Sequence, residues 1–173
     1  KTGYTPTLLV GYGGIWGENY FYQQAPIWND PRLRRFLPSR RLRAKTLRRS
    51  VLVLDNDWHH KRVAAAAKRI VRAGGKVQIG SHGQLQGLGY HWEMKALRQG
   101  GLSNREVLKA ATMDGAYYLG LEKELGSIEK GTLADILILN KNPLKNIEHA
   151  KDIFWVIHNG VIRRSSDLRK VLP

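Results

Sequence analysis

The chain has 173 residues, 42% of them hydrophobic, and its 29 Lys and Arg against 14 Asp and Glu give a formal net charge of +15. This hydrophobic fraction is typical of a folded domain and excludes disorder along the whole chain. The chain has no cysteine, which excludes disulfide scaffolds, thiolate metal sites and cysteine nucleophiles. Its apolar runs of about four or five residues are far below the ~18 that span a bilayer.

The first fifty residues predict one strand followed by a long irregular connection. Residues 7–10 are an apolar run that predicts a buried strand ended by Gly11. Residues 11–17 form a glycine-rich aromatic loop whose spacing fits neither a P-loop nor a dinucleotide fingerprint. We predict that Tyr12 and Trp16 in this loop line a substrate pocket. Residues 18–50 show no sustained periodicity and contain prolines, so we expect an irregular connection.

The basic residues are concentrated in this connection. Nine of them, and no acidic residue, lie between Arg32 and Arg49. Such a run is typical either of a surface that binds nucleic acid or another polyanion, or of a solvated connection. Signatures of zinc fingers, helix-turn-helix motifs and RNA-binding domains are absent, and Phe36 alone interleaves the run. The composition therefore favours the solvated connection over nucleic-acid binding.

The middle of the chain alternates between predicted helices and strands. Residues 51–54 fit either a strand or a helical turn, residues 58–73 predict an amphipathic helix, and residues 76–79 predict a buried strand. A second helix is expected over residues 91–98. A third helix begins at a capping box at Ser103, with its apolar face predicted to continue to Leu119. This alternation indicates a parallel α/β architecture.

The pattern changes after Gly120. Residues 133–139 predict a strand rich in Leu and Ile. Asn159-Gly160 lies between two apolar runs, which is a strong hairpin signal because both turn positions require a positive φ. The end of the chain is therefore predicted to be a small β element.

The segment after the strand at residues 76–79 holds the densest group of polar residues. His82 follows that strand closely, and the carboxyl ends of parallel strands are where α/β proteins bind ligands. Its imidazole suits a metal ligand or a general acid or base, and a histidine that only stabilises a turn is the alternative. His91 and Glu93 are two residues apart on a helix and do not share a face, so a joint metal site is disfavoured and Glu93 is predicted to lie on the helix surface. His59 and His60 are adjacent at the start of a helix and point in different directions, so they are predicted to be structural rather than a joint metal site.

Several motifs resemble one family when they are taken in order. The segments GLSNREVLKAAT at residues 101–112, LGSIEKGTLADI at residues 125–136 and VIHNG at residues 156–160 resemble metal-dependent amidohydrolases. The segments GSHGQLQGLG and HWE are similar to imidazolonepropionase-like amidohydrolases, especially the branch fused behind a TolB-like propeller. Residues 5–8 resemble the seventh barrel strand of that branch.

The resemblance implies an α/β fold of a particular kind. Residues 1–120 would form the C-terminal portion of a (β/α)8 TIM-type barrel with its last two strands, and residues 121–173 would form a small β-sandwich portion with the terminal hairpin. A whole barrel takes about 250 residues, so the chain is expected to be a fragment that pairs with the remainder of the barrel, on the same or another polypeptide.

The resemblance also implies an activity. It indicates a hydrolase for C–N bonds other than typical peptide bonds, acting on a small amide or peptide-like molecule through water activated by a divalent metal, with zinc the first candidate. Most metal ligands would lie upstream, so the isolated chain is expected to be inactive. His82 aligns with the family's last-strand Asp, which makes it the candidate catalytic residue and metal ligand.

Four further residues are predicted to shape the substrate mouth: Tyr12, Trp16, Gln84 and His91. The resemblance allows a periplasmic or secreted location and leaves the compartment open. The alternative function is a basic, non-enzymatic module that binds nucleic acid or an anionic surface.

Overall fold

The computed structural model describes residues 2–11, 15–25, 27–47, 53–82 and 85–171. The helices and strands follow one another in a mixed α/β order. In chain order they are β1 (Gly3–Tyr4), α1 (Gly17–Gln24), α2 (Pro31–Phe36), α3 (Ser39–Leu47), α4 (His59–Arg72), β2 (Lys76–Val77), α5 (Leu88–Gln99), α6 (Asn104–Ala110), α7 (Met113–Leu119), β3 (Ile136–Leu139), β4 (Ile153–His158) and β5 (Val161–Arg164). Among these described helices, none is both long and apolar enough to cross a membrane.

The two N-terminal strands are parallel, as the alternation of helices and strands predicts. Gly3 pairs with Lys76 and Tyr4 with Val77. The first strand was placed wrongly, because residues 7–10 form a turn in which the Val10 N–H donates to the Thr7 carbonyl at 3.1 Å. A short apolar run shows that a segment is buried but cannot separate a strand from a buried turn. Leu8 and Leu9 accordingly lie in the hydrophobic core outside any strand.

The helices α4 and α5 pack against each other and form much of the core. Both were predicted, although α5 begins three residues earlier than expected, at Leu88. Ala64 and Ala67 of α4 are fully buried. Gly100 ends α5 directly against α4, where a Cβ would overlap the backbone of Ala64. Small residues at these positions therefore set the close approach of the two helices.

Residues 18–50 are largely helical where the structure describes them, which corrects the prediction of an irregular connection. Asp30 caps α2 by accepting from the N–H groups of Arg32 at 2.8 Å and Leu33 at 3.1 Å. Pro31 occupies the first turn, where the absence of its N–H is tolerated. The helices α2 and α3 have only 6 and 9 residues, and their buried hydrophobic residues are Leu33 and Leu42 among those described. Helices this short, with so few buried positions, show no visible period in the sequence. Residues 53 and 54 lie outside any strand or helix, and residues 51 and 52 are outside the described residues.

The C-terminal elements follow the local signals closely. The capping box of Ser103 and Glu106 begins α6, but the helix ends at Ala110 and α7 starts afresh at Met113. The expected apolar face therefore does not extend to Leu119, which is 71% exposed. The strands β3, β4 and β5 form an antiparallel sheet, and the predicted Asn159-Gly160 turn is confirmed with φ values of 47° and 76°.

Candidate functional site

The parallel pairing brings together the two segments that follow β1 and β2. The last ladder bond runs from the Gln78 N–H to the Tyr4 carbonyl at 3.0 Å. Beyond it, the Thr5 hydroxyl donates to Gln78 Oε1 at 3.0 Å. A Cβ on Gly80 would overlap the carbonyl oxygen of Pro6, so the two backbones are in direct contact there. Residues 5–9 and 78–82, which we call the candidate site, thus leave the same edge of the sheet.

The helix α5 supports both segments of the candidate site. A Cβ on Gly89 would lie 3.1 Å from Ser81 Oγ and 3.7 Å from Leu9 Cδ1. One turn later, Glu93 accepts hydrogen bonds from the N–H groups of Leu8 at 2.7 Å and Leu9 at 3.2 Å. Residues four apart share a helix face, so one face of α5 contacts both segments.

Glu93 is the functional candidate that sequence reasoning missed. It was predicted to lie on the helix surface, but it is fully buried, with 0% of the residue exposed. Its partners are more than eighty residues away in the chain, so no local pattern shows them. The available signal was the pair of large apolar neighbours, Trp92 and Met94, which are also buried.

Burial decides the protonation of this carboxyl group. Removal from water raises the pKa of Glu93 to about 7, and the two backbone hydrogen bonds from Leu8 and Leu9 limit that rise. The group therefore changes charge close to neutral pH, in contrast to an ordinary glutamate.

The raised pKa predicts a pH-dependent contribution to stability. Between about pH 4.5 and 7 the folded state holds more protons than the unfolded state, so stability falls as the pH rises through this window. In Glu93→Gln the group no longer titrates. From pH 4.5 to 8 we therefore expect the wild type to lose up to about 3 kcal/mol of folding stability relative to Glu93→Gln. Denaturant unfolding of the full-length protein at several pH values measures it, and a pH-independent difference would contradict the expectation.

Trp16 lies beside the candidate site at the start of α1. It is 43% exposed and is the residue before the first helical residue, Gly17. The Glu18 N–H donates to the Leu9 carbonyl at 2.9 Å, and a Cβ on Gly17 would overlap the Leu8 carbonyl oxygen. The start of α1 therefore contacts residues 8 and 9 directly. Tyr12, the other aromatic residue predicted for this loop, lies outside the described residues.

His82 is exposed and lies at the end of the candidate site, five residues after Val77. Its position after a parallel strand agrees with the sequence reasoning, and its catalytic role stays a prediction. Gln84 is outside the described residues.

His91 is half-buried, and its environment is charged. Burial is the main cause that lowers its pKa, the positive charge of Lys151 adds to this, and Glu148 partly offsets it. Glu148 also forms an ion pair at 2.8 Å with Lys95, which lies on α5 together with His91. These charges lie on the 3₁₀ helix Ile147–Lys151, whereas Glu93 faces residues 8 and 9. A role for His91 in binding substrate stays a prediction.

His60 lies in the core, as expected for a structural histidine. It contacts the rings of Tyr20, Phe21 and Trp58, and its Nε2 lies 3.0 Å from Gln99 Oε1. Burial lowers its pKa, which favours the neutral imidazole.

The described residues do not by themselves fit a metal centre. No group of three or more His, Asp or Glu side chains among them is arranged to hold an ion. His82 supplies at most one imidazole, and a structural or catalytic zinc site takes three or four protein ligands. A metal bound at the candidate site would need ligands from other parts of the protein.

The basic residues of α2 and α3 form an exposed surface. Arg34, Arg40, Arg41 and Arg43 are exposed. Arg32 Nη1 donates to the Lys151 carbonyl at 2.6 Å. Exposed arginines fit both a solvated connection and a surface that binds anions, and the backbone that carries them is helical rather than irregular. Arg48 and Arg49 lie outside the described residues.

Comparison with known proteins points to one family. The profile of the amidohydrolase family matches residues 39–163. An imidazolonepropionase from Symbiobacterium thermophilum is 50% identical over 40 residues, which are 23% of this chain and 9% of that protein. These matches favour a hydrolase over the alternative of a module that binds nucleic acid or an anionic surface.

Solved structures support the same fold. An amidohydrolase structure is 28% identical with a TM-score of 0.51, over 58% of this chain and 25% of that one. A Xaa-Pro dipeptidase with methionine bound in its active site is 24% identical with a TM-score of 0.60, over 95% of this chain and 35% of that one. The predicted α/β class is confirmed, and the chain spans 25% and 35% of the length of these two structures.

Proposed function

Because this chain belongs to the amidohydrolase family, we propose that it is the carboxyl-terminal part of a hydrolase that cleaves C–N bonds in small amide or peptide-like molecules. The relatives support this substrate class, since they include an imidazolonepropionase and a Xaa-Pro dipeptidase. Residues 1–120 would supply the barrel portion and residues 121–173 a small β-sandwich portion.

In this proposal β1 and β2 are the last two strands of a (β/α)8 barrel. Within the described residues, each of these strands has one hydrogen-bonded strand neighbour, which is the other. A closed barrel gives every strand two neighbours. The remainder of the barrel, on the same or another polypeptide, would therefore pair with both free edges.

The observation that carries the proposal is the shared edge at which residues 5–9 and 78–82 emerge. Active sites of barrel enzymes lie at the carboxyl ends of the strands. The imidazole of His82 at this edge can accept a proton from a water molecule as that water attacks the carbonyl carbon, and can return it to the leaving nitrogen. Trp16, together with Tyr12, Gln84 and His91, would shape the substrate mouth.

The family is generally metal-dependent, and zinc remains the first candidate. His82 is our candidate for a ligand from this chain, as the alternative to its role as proton acceptor, because a neutral imidazole has a single lone pair for one of the two. The other ligands would come from outside the described residues. The chain spans 25% and 35% of the length of the two solved structures, so much of such an enzyme would lie elsewhere.

Substitution of His82 tests the proposal. In the full-length protein we expect His82→Ala to lower kcat/KM by about 100-fold or more, because it removes a group that holds or transfers a proton. The assay is hydrolysis of Xaa-Pro dipeptides, N-acyl amino acids and cyclic amides, with the melting temperature measured beside it.

His59→Ala is the matched control, since His59 begins α4 and has no role in the proposed chemistry. We expect it to keep kcat/KM within about twofold of wild type, as substitutions away from special features usually do. A His82→Ala protein as active as the His59→Ala protein would remove His82 from the mechanism.

A further inference from the structure

A buried carboxylate holds two consecutive backbone N–H groups at the candidate site. We propose that Glu93 is a positioning residue, which fixes the backbone at Leu8 and Leu9 and through it the place of Trp16. The part of this inference that concerns substrate binding rests on the proposed function.

Two hydrogen bonds to Glu93 hold the backbone of residues 8 and 9. The two oxygens of Glu93 accept separately, Oε1 from the Leu8 N–H at 2.7 Å and Oε2 from the Leu9 N–H at 3.2 Å. The β1–β2 ladder of the described residues ends at Tyr4 and Val77, so β2 does not accept from these two N–H groups. Both residues are buried, and buried N–H groups without acceptors are costly.

Residues 8 and 9 are in turn linked to the backbone that carries Trp16. The Leu9 carbonyl accepts from the Glu18 N–H at 2.9 Å, which joins it to the first turn of α1. The Leu8 carbonyl lies against Gly17 so closely that a Cβ there would overlap it. Trp16 is the residue directly before Gly17. A shift of residues 8 and 9 therefore shifts the backbone that carries Trp16.

The residue type at position 93 suits these two hydrogen bonds. A helix has no intrinsic need for Glu at this position, because Gln and Met have similar helix propensities. The two donors here reach separate oxygens, and a carboxylate has two acceptor oxygens whereas an amide has one. The choice of Glu93 is thus explained by the segment that it holds rather than by α5.

Hydrogen exchange in the full-length protein at about pH 8, where the carboxylate form of Glu93 predominates, tests the proposal. In Glu93→Gln, one acceptor oxygen is replaced by a donor, and we expect the Leu8 and Leu9 amides and the first turn of α1 to exchange about tenfold faster. Amides of α4, such as that of the buried Ala67, should keep their wild-type rates. For the best substrate found, KM should rise several-fold with a smaller change in kcat, since only the placement of the substrate is loosened.

Glu148→Gln is the matched control. Glu148 also pairs with α5, through Lys95, but among the described contacts it makes no hydrogen bond to residues 8 and 9. It should exchange like wild type over residues 7–11 and 15–24. Wild-type rates at Leu8 and Leu9 in Glu93→Gln, or an increase that α4 shares equally, would overturn the proposal.

The wild-type protein gives a second measurement that does not depend on any variant. Leu8 and Leu9 lie outside strands and helices, yet their amides should exchange as slowly as buried helix amides, and fast exchange there would overturn the proposal. The exchange experiment needs no substrate. A protein without hydrolase activity would thus count against the proposed function while the exchange rates still decide the role of Glu93.

Discussion

Replacing Gly80 with alanine is expected to destabilise the full-length protein by about 3 kcal/mol, at the upper end of what overpacking usually costs. The added Cβ would lie 2.8 Å from the carbonyl carbon of Pro6 and overlap its oxygen. The Cβ is attached directly to the backbone of Gly80 and the group it meets is the backbone of Pro6, so no side-chain rotation can relieve the overlap. The segments after β1 and β2 would have to separate, and denaturant unfolding monitored by circular dichroism measures the loss.

Gly115→Ala is the matched control for this substitution. Gly115 lies inside α7, and nothing stands within 4 Å of a Cβ built there. Alanine in a helix interior is favoured over glycine by roughly 0.5–1 kcal/mol, so this variant should be slightly more stable than wild type. Equal stability of the two variants would show that the segments after β1 and β2 are not in close contact.

The elements that the sequence predicts well are those with local causes. The helix α4 shows its period over a long stretch, the capping box marks the start of α6, and Asn159-Gly160 fixes the terminal hairpin. Each signal depends on residues within one or a few turns of one another. No distant partner is needed to recognise them.

The elements that were misjudged depend on distant partners. The strand β1 is two residues long and pairs with residues more than seventy positions away, so Gly3 and Tyr4 carry no pattern of their own. The apolar run at Leu8 and Leu9 is buried because α5 covers it, and there Glu93 rather than a neighbouring strand accepts the N–H bonds. The candidate site combines both cases, which is why the sequence pointed to its edge but not to its supporting carboxylate.

The 173 residues expressed alone are expected to show no hydrolysis above the blank, with or without added zinc, and to associate at micromolar concentration. Each strand of the β1–β2 sheet presents a free edge among the described residues, and free edges promote pairing with other chains. Apolar side chains are exposed as well, with Ile128 82% and Leu119 71% accessible. Among the described residues, no group of His, Asp and Glu side chains is arranged to hold a metal, and in the proposed function most ligands come from the rest of the protein.

Size-exclusion chromatography with light scattering and the substrate panel used for His82→Ala test this expectation. The control is the full-length protein, in which we expect the same residues to be monodisperse and active, because in the proposed fold the rest of the barrel would pair with both edges. Co-expression with the remaining part of the protein should restore solubility and turnover together. A monodisperse isolated chain that melts cooperatively would show that β1 and β2 need no further strands, and turnover by it would place the whole catalytic machinery within these residues.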